Sequence, residues 1–349
     1  MAMPHEQPYY QTWNIPPPKY TVAQLTADMK LLVRLIHAAD LYQELTISYQ
    51  DITGYVRKDP EQPHPLGSGA AGVVHRGLYE WTDPQSMQVV RMKVAVKHIL
   101  SAPHDRAKTE ERIRREVATW RYLDHPNITK FLGIAQIEPN RPPGLVSRFM
   151  YRNKFLDYIG RHPEQKRQKA IEIALGLQYL HTRNPPVIHG DIKPDNILIS
   201  DSGAAQLNDF GTSRILDVQG FTTKAMRNMR YTAPELLLLE ESPQDPRPTT
   251  QSDIFSLAML LLVAPMQLFN HRPNMEMQAS LPYNHIRLVN DNGGHEIKLL
   301  RRIHAGERPL RERYLTIEDG KIWSIISMCW QPHPMQRPHI SQVVSMLMS

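Results

Sequence analysis

The sequence predicts an α+β fold in two lobes: a small antiparallel β-sheet lobe with one main helix, then a larger helical lobe. Three observations carry that expectation. Between residues 66 and 151, short alternating or β-branched stretches punctuated by glycine and proline read as strands, interrupted by one helical stretch. After Asn153 the apolar residues recur mainly at helical spacing. The change falls near residues 148–154, where a hinge between the two parts is expected.

Taken in order, residues 1–20 are polar and proline-rich, with Pro16-Pro17-Pro18 together, and are expected to form an extended or disordered arm. From Thr21, a cap candidate, to Leu45, the residues Leu25, Met29, Leu32, Ile36 and Ala39 fall at helical spacing. Residues 21–60 are therefore read as an N-terminal helical extension. The apolar stripe of the 21–45 helix needs cover, from the body of the domain or from a regulatory partner or second copy of the chain. Asp59 to Pro65 is a loop with three prolines. Leu66 to Glu80 alternates and contains Gly67, Gly69 and Gly72, which reads as a hairpin. Val89 to Ile99 reads as a strand, since Val94 and Val96 suit a pleated surface. A helix is expected over 105–123 and strands over 127–138 and 144–151. Further helices are expected at 163–182, 251–264, 296–305, 317–330 and 339–348, while 265–295, with Asn292-Gly293-Gly294, follows no pattern. The expected organisation is an arm (1–20), an extension (21–60) and one domain (61–349), divided into 61–150 and 151–349.

The chain has 349 residues, 41% apolar and 22% charged, the balance of an ordinary globular protein with a substantial core. A net charge of +6 suits an anionic ligand or plain solubility. No dense Lys/Arg run with interleaved aromatics occurs, so no nucleic-acid partner is expected. The single cysteine, Cys329, fits a reducing compartment, and within Met328-Cys329-Trp330 it reads as core filler. The opening Met-Ala-Met-Pro-His-Glu lacks the apolar run of a signal peptide. The longest apolar run, Leu257 to Pro265, is too short to cross a bilayer. A soluble, intracellular, cytoplasmic protein without a membrane span is expected.

The chemistry concentrates in His189-Gly190-Asp191-Ile192-Lys193-Pro194-Asp195-Asn196, followed by Asp209-Phe210-Gly211. One short loop carries an aspartate, a lysine and an asparagine, and a second aspartate follows 209 − 191 = 18 residues later, room for a hairpin that returns it to the same cleft. Phosphoryl transfer needs such a set: a carboxylate for the hydroxyl proton, a cation near the moving phosphate, and oxygen ligands for Mg²⁺. A surface turn is the alternative reading, since Asp, Asn and Gly are turn residues. Gly67-Ser68-Gly69-Ala70-Ala71-Gly72-Val73-Val74 would let backbone N–H groups approach phosphate unobstructed. It opens a hairpin and not a strand-to-helix turn, which argues against a dinucleotide fingerprint. Lys97 closes the apolar Val94-Ala95-Val96-Lys97 and needs an acidic partner; Glu110, Glu111 and Glu116 are the candidates on the next helix.

These motifs resemble those of eukaryotic protein kinases, in the order the family has them and over about residues 61–349. Leu123-Asp124-His125-Pro126-Asn127-Ile128 and the Met-Cys-Trp…Gln-Arg-Pro close resemble the tyrosine-kinase-like branch, while Lys193 is similar to the serine/threonine type of catalytic loop. The resemblance implies ATP-dependent phosphorylation of protein serine or threonine. A nucleotide-binding pseudokinase scaffold, or a tyrosine or dual-specificity kinase, is the alternative. It implies Asp191 as catalytic base, Lys193 beside the transferred group, and Asn196 and Asp209 as Mg²⁺ ligands. For ATP it implies Leu66, Gly67, Ser68, Gly69, Gly72, Val74, Ala95, Lys97 paired with Glu116, Ser147 as gatekeeper, Phe149 and Met150 in the hinge, and Leu198. It also implies a buried Glu235–Arg337 pair and an Asp253 that accepts backbone N–H bonds from the catalytic loop. Gly190 stands where the family usually has an arginine that docks a phosphorylated activation loop. The resemblance therefore implies activity without phosphate on Thr212, Ser213, Thr222 or Thr223.

Overall fold

A computed structural model describes residues 51–69, 72–82, 86–100, 106–139, 141–151, 154–215, 229–237, 246–263, 281–283, 285–286, 294–314 and 320–349. The arm at 1–20, the helix at 21–45, Thr222, Thr223 and most of 265–295 lie outside them.

The alternating stretches build a six-stranded antiparallel sheet from β1 (Val56–Lys58), β2 (Gly67–Gly69), β3 (Gly72–Thr82), β4 (Val89–His98), β5 (Phe131–Ala135) and β6 (Gly144–Arg148). The order is β1-β3-β4-β6-β5, with β2 folded back on β3. The sheet starts earlier than the sequence reading placed it. Val56 to Lys58, grouped with the helical extension, pair with Tyr79 to Gly77, and Ile52 N–H donates to Ile134 O at 2.9 Å. The physical reason is Val56 and Ile52, which join Tyr79, Val94, Val96, Leu132, Ala135 and Val146 in one apolar cluster.

Register then sorts the site from the core. Val94 and Val96 face that cluster, so Ala95 and Lys97 face the opposite way. Val74 lies across from Lys97, and Ser147 across from Ala95, so all four share the second face. The expected helix is α1 (Arg106–Trp120), which ends three residues early as the chain turns at Arg121. The strand expected at 127–138 begins only at Phe131. Asn127 and Thr129 instead clamp β9 (Ala205–Leu207): Thr129 N–H donates to Leu207 O and Leu207 N–H to Asn127 O, both at 2.9 Å.

The second lobe holds α2 (Phe155–Arg161), α3 (Lys166–His181), α4 (Thr250–Val263), α5 (Gly294–His304), α6 (Gly320–Cys329) and α7 (Ile340–Met348). Sequence spacing missed α2, a seven-residue helix stopped by His162-Pro163. α4 is buried all round from Ser252 to Leu262, which makes it the central helix. Cys329 is fully buried there, and burial pushes its thiol up to about 12, so it serves as core. Two short ribbons complete the lobe: β8 (Ile197–Ile199) with β9, and β7 (Val187–Ile188) with β10 (Arg214–Ile215). Among the described residues no helix is long and apolar enough to cross a membrane.

Candidate active site

β4 supplies Lys97, α1 supplies Glu116, and the turn after β9 supplies Asp209. Lys97 Nζ lies 2.8 Å from Glu116 Oε1 and 2.6 Å from Asp209 Oδ1. Of the three acids considered on α1, the structure selects Glu116, which is buried. Burial works against the Lys97 charge, but the two carboxylates outweigh it and raise its pKa. Burial likewise opposes the Asp209 charge, yet Lys97 and the Gly211 N–H hold this carboxyl down to about 2. Glu116 goes the other way. Burial, with Asp209 adding to it, outweighs Lys97 and raises its pKa.

Gly211 is what lets the three charges close up. A Cβ there would meet Glu116 Oε2 at 3.0 Å, Asp209 Oδ1 at 3.2 Å and Lys97 Nζ at 3.4 Å. Asp209 itself takes a left-handed backbone, φ 64°, which Asp tolerates better than most residues. Phe210, buried beside it, holds the turn, with its ring 5.6 Å from that of Trp120 and 5.3 Å from that of His189. Trp120 is fixed in turn by its indole N–H on Thr129 O, at 2.5 Å. Sequence reasoning gave Trp120 no role, because one aromatic at a helix end carries no signal.

The 189–196 loop forms the opposite wall. Lys193 Nζ lies 2.6 Å from Asp191 Oδ2, and Asn196 Nδ2 donates to the same oxygen at 2.8 Å and to Asp191 O at 2.7 Å. Both side chains engage Oδ2, so among the described residues Oδ1 of Asp191 is left to accept a hydroxyl proton. By the same reasoning Asn196 keeps Oδ1 and Asp209 keeps Oδ2, because Lys97 and Gly211 occupy Asp209 Oδ1. Two such oxygens suit a hard divalent cation whose remaining ligands are phosphate and water. Among the described residues no cluster of three or more His, Cys, Asp or Glu could hold a metal alone.

Asp253 pins this loop from below, as expected: it accepts His189 N–H at 2.8 Å and Gly190 N–H at 2.9 Å. His181 Nε2 adds a third contact at 2.9 Å, and no sequence signal marked it. Leu198 is half-buried between buried Ile197 and Ile199. In the hinge Phe149 and Met150 are buried, and Phe149 N–H donates to Lys93 O at 3.1 Å. Gly67, Ser68 and Gly69 pair with Val74, Val73 and Gly72, while Leu66 is exposed. Farther off, Arg337 grips Glu235 with two bonds, 2.6 and 2.8 Å. The pair is buried on one side only, since the Arg337 side chain is 0% exposed and that of Glu235 is 26%.

A family model described as protein kinase domain matches residues 61–347. Among curated proteins, the chain is similar to serine/threonine-protein kinase STY17 of Arabidopsis thaliana, 25% identical over 81% of this chain and 43% of that protein. It is similar to the G-type lectin S-receptor-like serine/threonine-protein kinase LECRK4 of Oryza sativa subsp. japonica, at 30% identity over 81% of this chain and 33% of that one. A third, serine/threonine/tyrosine-protein kinase HT1 of Arabidopsis thaliana, is 26% identical over 81% of this chain and 64% of its own length. The chain thus spans less than two thirds of each of these relatives.

Proposed function

The chain belongs to the protein kinase family, and from that premise we propose that it transfers the γ-phosphoryl group of ATP to serine or threonine hydroxyls of protein substrates. The observation that carries this reading is the meeting of Lys97, Glu116 and Asp209, residues distant in sequence, within 2.8 Å contacts. A charged lysine held between two carboxylates is costly to bury, and the arrangement suits a site that must hold a cation fixed against phosphate. Lys97 would engage the phosphates of ATP, with Glu116 fixing its reach. Asp191 would orient the incoming hydroxyl and accept its proton at Oδ1, and Lys193 would offset charge on the moving group. Asn196 and Asp209 would hold Mg²⁺, which supplies charge neutralisation at the phosphate oxygens. The face shared by Val74, Ala95 and Ser147, with Leu198 below, would take the adenine, read by the backbone of Arg148 to Met150.

The names of the relatives favour serine and threonine, and Lys193 agrees. The test is purified protein with labelled ATP, Mg²⁺ and a generic protein substrate, followed by phospho-amino-acid analysis. Asp191→Asn is expected to lower turnover by about 10²–10⁴ with little change in ATP affinity. A variant that keeps most of its turnover removes Asp191 from this role, and binding without transfer by the wild type points to the pseudokinase.

A further inference from the structure

Asp59 lies one residue past β1, in the loop that leads to the glycine-rich strand. It is 1% exposed. Its Oδ1 accepts Glu61 N–H at 2.9 Å, its Oδ2 accepts Arg76 Nε–H at 2.6 Å, and its own N–H donates to Arg76 O at 3.0 Å. The Arg76 guanidinium in turn lies over the Phe149 ring, 5.8 Å from its centroid. A second arm runs beside the first. Lys93 Nζ donates to Glu61 Oε2 at 3.1 Å and lies 5.7 Å from the centroid of Tyr151. Phe149 and Tyr151 meet edge to face at 5.1 Å. Two cations thus grip the first hinge residues, and an acid from the 59–61 loop holds each cation.

None of these four charges belongs to the constellation around Lys97 and Asp191. Burial opposes the Asp59 charge, yet the Glu61 N–H and Arg76 outweigh it and keep the carboxyl below its ordinary range. A buried aspartate must be paired, and Asp59 reaches the hinge only through its partner Arg76, which lies over Phe149.

We propose that Arg76 and Lys93 are positioning residues for the nucleotide: braced by Asp59 and Glu61, they fix the hinge backbone at Arg148 to Met150 against which adenine is read. This rests on ATP as the phosphoryl donor. Hydrogen bonds to an adenine edge weaken steeply with misalignment, so a hinge free to shift loses affinity before it loses chemistry. The Val94–Arg148 pairing and the bond from Phe149 to Lys93 hold the hinge backbone along its strand edge, and Asp201 meets Arg148 at 3.3 Å and Tyr151 N–H at 3.5 Å. The two cations add contacts on the rings of Phe149 and Tyr151, which those backbone bonds leave unsupported.

The experiment titrates the full chain with Mg·ATP, using a fluorescent nucleotide as the displaced probe, and measures KM for ATP and kcat alongside. Arg76→Gln is expected to weaken binding about fivefold, the worth of one partly buried cation–π contact, with KM rising in step and kcat at saturating ATP nearly unchanged. Glu61→Gln, at an exposed acid, is expected to weaken binding about twofold. Arg57→Gln, which breaks a pair with Glu80 away from the hinge, is expected to leave affinity unchanged. A folded Arg76→Gln with wild-type affinity overturns the proposal. Should Arg76→Gln fail to fold, Glu61→Gln decides, and unchanged affinity there overturns it equally. A wild type that binds no ATP defeats the functional reading, and this inference with it. A wild type that binds, with both variants unmoved, defeats the brace alone.

Discussion

Breaking the Glu235–Arg337 pair is expected to cost unequal amounts from its two ends. Removing one partner of a fully buried ion pair costs about 3–5 kcal/mol, because the other charge is stranded. Glu235→Ala strands Arg337, but that guanidinium keeps Gln331 O at 2.9 Å, Gln251 O at 3.0 Å and Pro332 O at 3.3 Å. The remaining acceptors place the loss at about 2–3 kcal/mol. Arg337→Ala leaves a Glu235 that water reaches, but it deprives those three carbonyls of their donor and Phe255 of one of its two cations, the guanidinium 5.2 Å from its ring, leaving Arg308 at 5.3 Å. The expected loss is about 4–5 kcal/mol. With Arg337 gone, Glu235 keeps only its longer-range attraction to Arg308 among the described residues, so the double variant should come close to Arg337→Ala. The coupling in the cycle is then about 2–3 kcal/mol. Urea unfolding of wild type and the three variants, followed by far-ultraviolet circular dichroism, measures it. Additive losses, or a Glu235→Ala as damaging as Arg337→Ala, would refute the reasoning.

Buried His75 and His98 meet edge to face at 5.7 Å, among Lys58, Glu138 and Arg141, and burial holds both below the ordinary 6.5. Below pH 6.5 the unfolded chain binds protons that the folded chain refuses, so stability should fall with acid by at most about 1.4 kcal/mol per pH unit per histidine; a His75→Phe variant whose melting temperature keeps the full acid slope would contradict this. Thr222→Ala with Thr223→Ala should leave turnover on a protein substrate within about tenfold of wild type, because Gly190 offers no docking cation. A larger loss that phosphomimetic acids restore would show that a phosphate is needed.

What sequence made legible was the order of motifs and the periodicities long enough to count. Asp191, Asn196 and Asp209 stand in a phrase whose chemistry is explicit, the glycine-punctuated run from Leu66 to Glu80 declares a hairpin, and Val89 to Ile99 declares a strand. Partner choice was legible only through the family resemblance. By spacing alone Glu110, Glu111 and Glu116 are equivalent; the resemblance pointed to Glu116, and the rotation of α1 is the physical reason, since it puts Glu116 on Lys97 while Glu111 pairs with Arg115 on the helix surface. β1 was hidden because three residues are too few for a period, and its evidence is tertiary: Val56 and Ile52 enter a cluster whose other members come from four different strands. The segment at 127–130 misled for a related reason. Its β-branched residues suit a strand, but its backbone bonds go to β9, where Asn127 Nδ2 also donates to Ala205 O at 2.9 Å. His181 and Arg76 were invisible because each acts through a residue far away in sequence, Asp253 in one case and Asp59 in the other.

The same distinction bears on Gly190. By letters it is a missing arginine, which implies only that a docking cation is lost. In the structure it is a position where a side chain hardly fits. Its φ is +80°, and a Cβ would meet Thr212 O at 3.0 Å and Pro248 Cγ at 3.4 Å. That close approach serves a purpose, because Thr212 and Ser213 each donate a hydroxyl hydrogen bond to His189 O, at 3.2 and 3.0 Å. Asp253 holds the N–H groups of His189 and Gly190 from the other side, and His189 Nε2 reaches Asn208 O at 3.1 Å. The loop that carries Asp191 is therefore tied to the segment after Asp209 by neutral, short-range bonds that need no phosphate. Thr212 and Ser213 consequently belong to the fastening and not with Thr222 and Thr223 as phosphate acceptors: their hydroxyls are already engaged, and Ser213 is buried. Removing either hydroxyl would loosen the catalytic loop whatever the regulation, which is why the phosphate question has to be put to Thr222 and Thr223 alone.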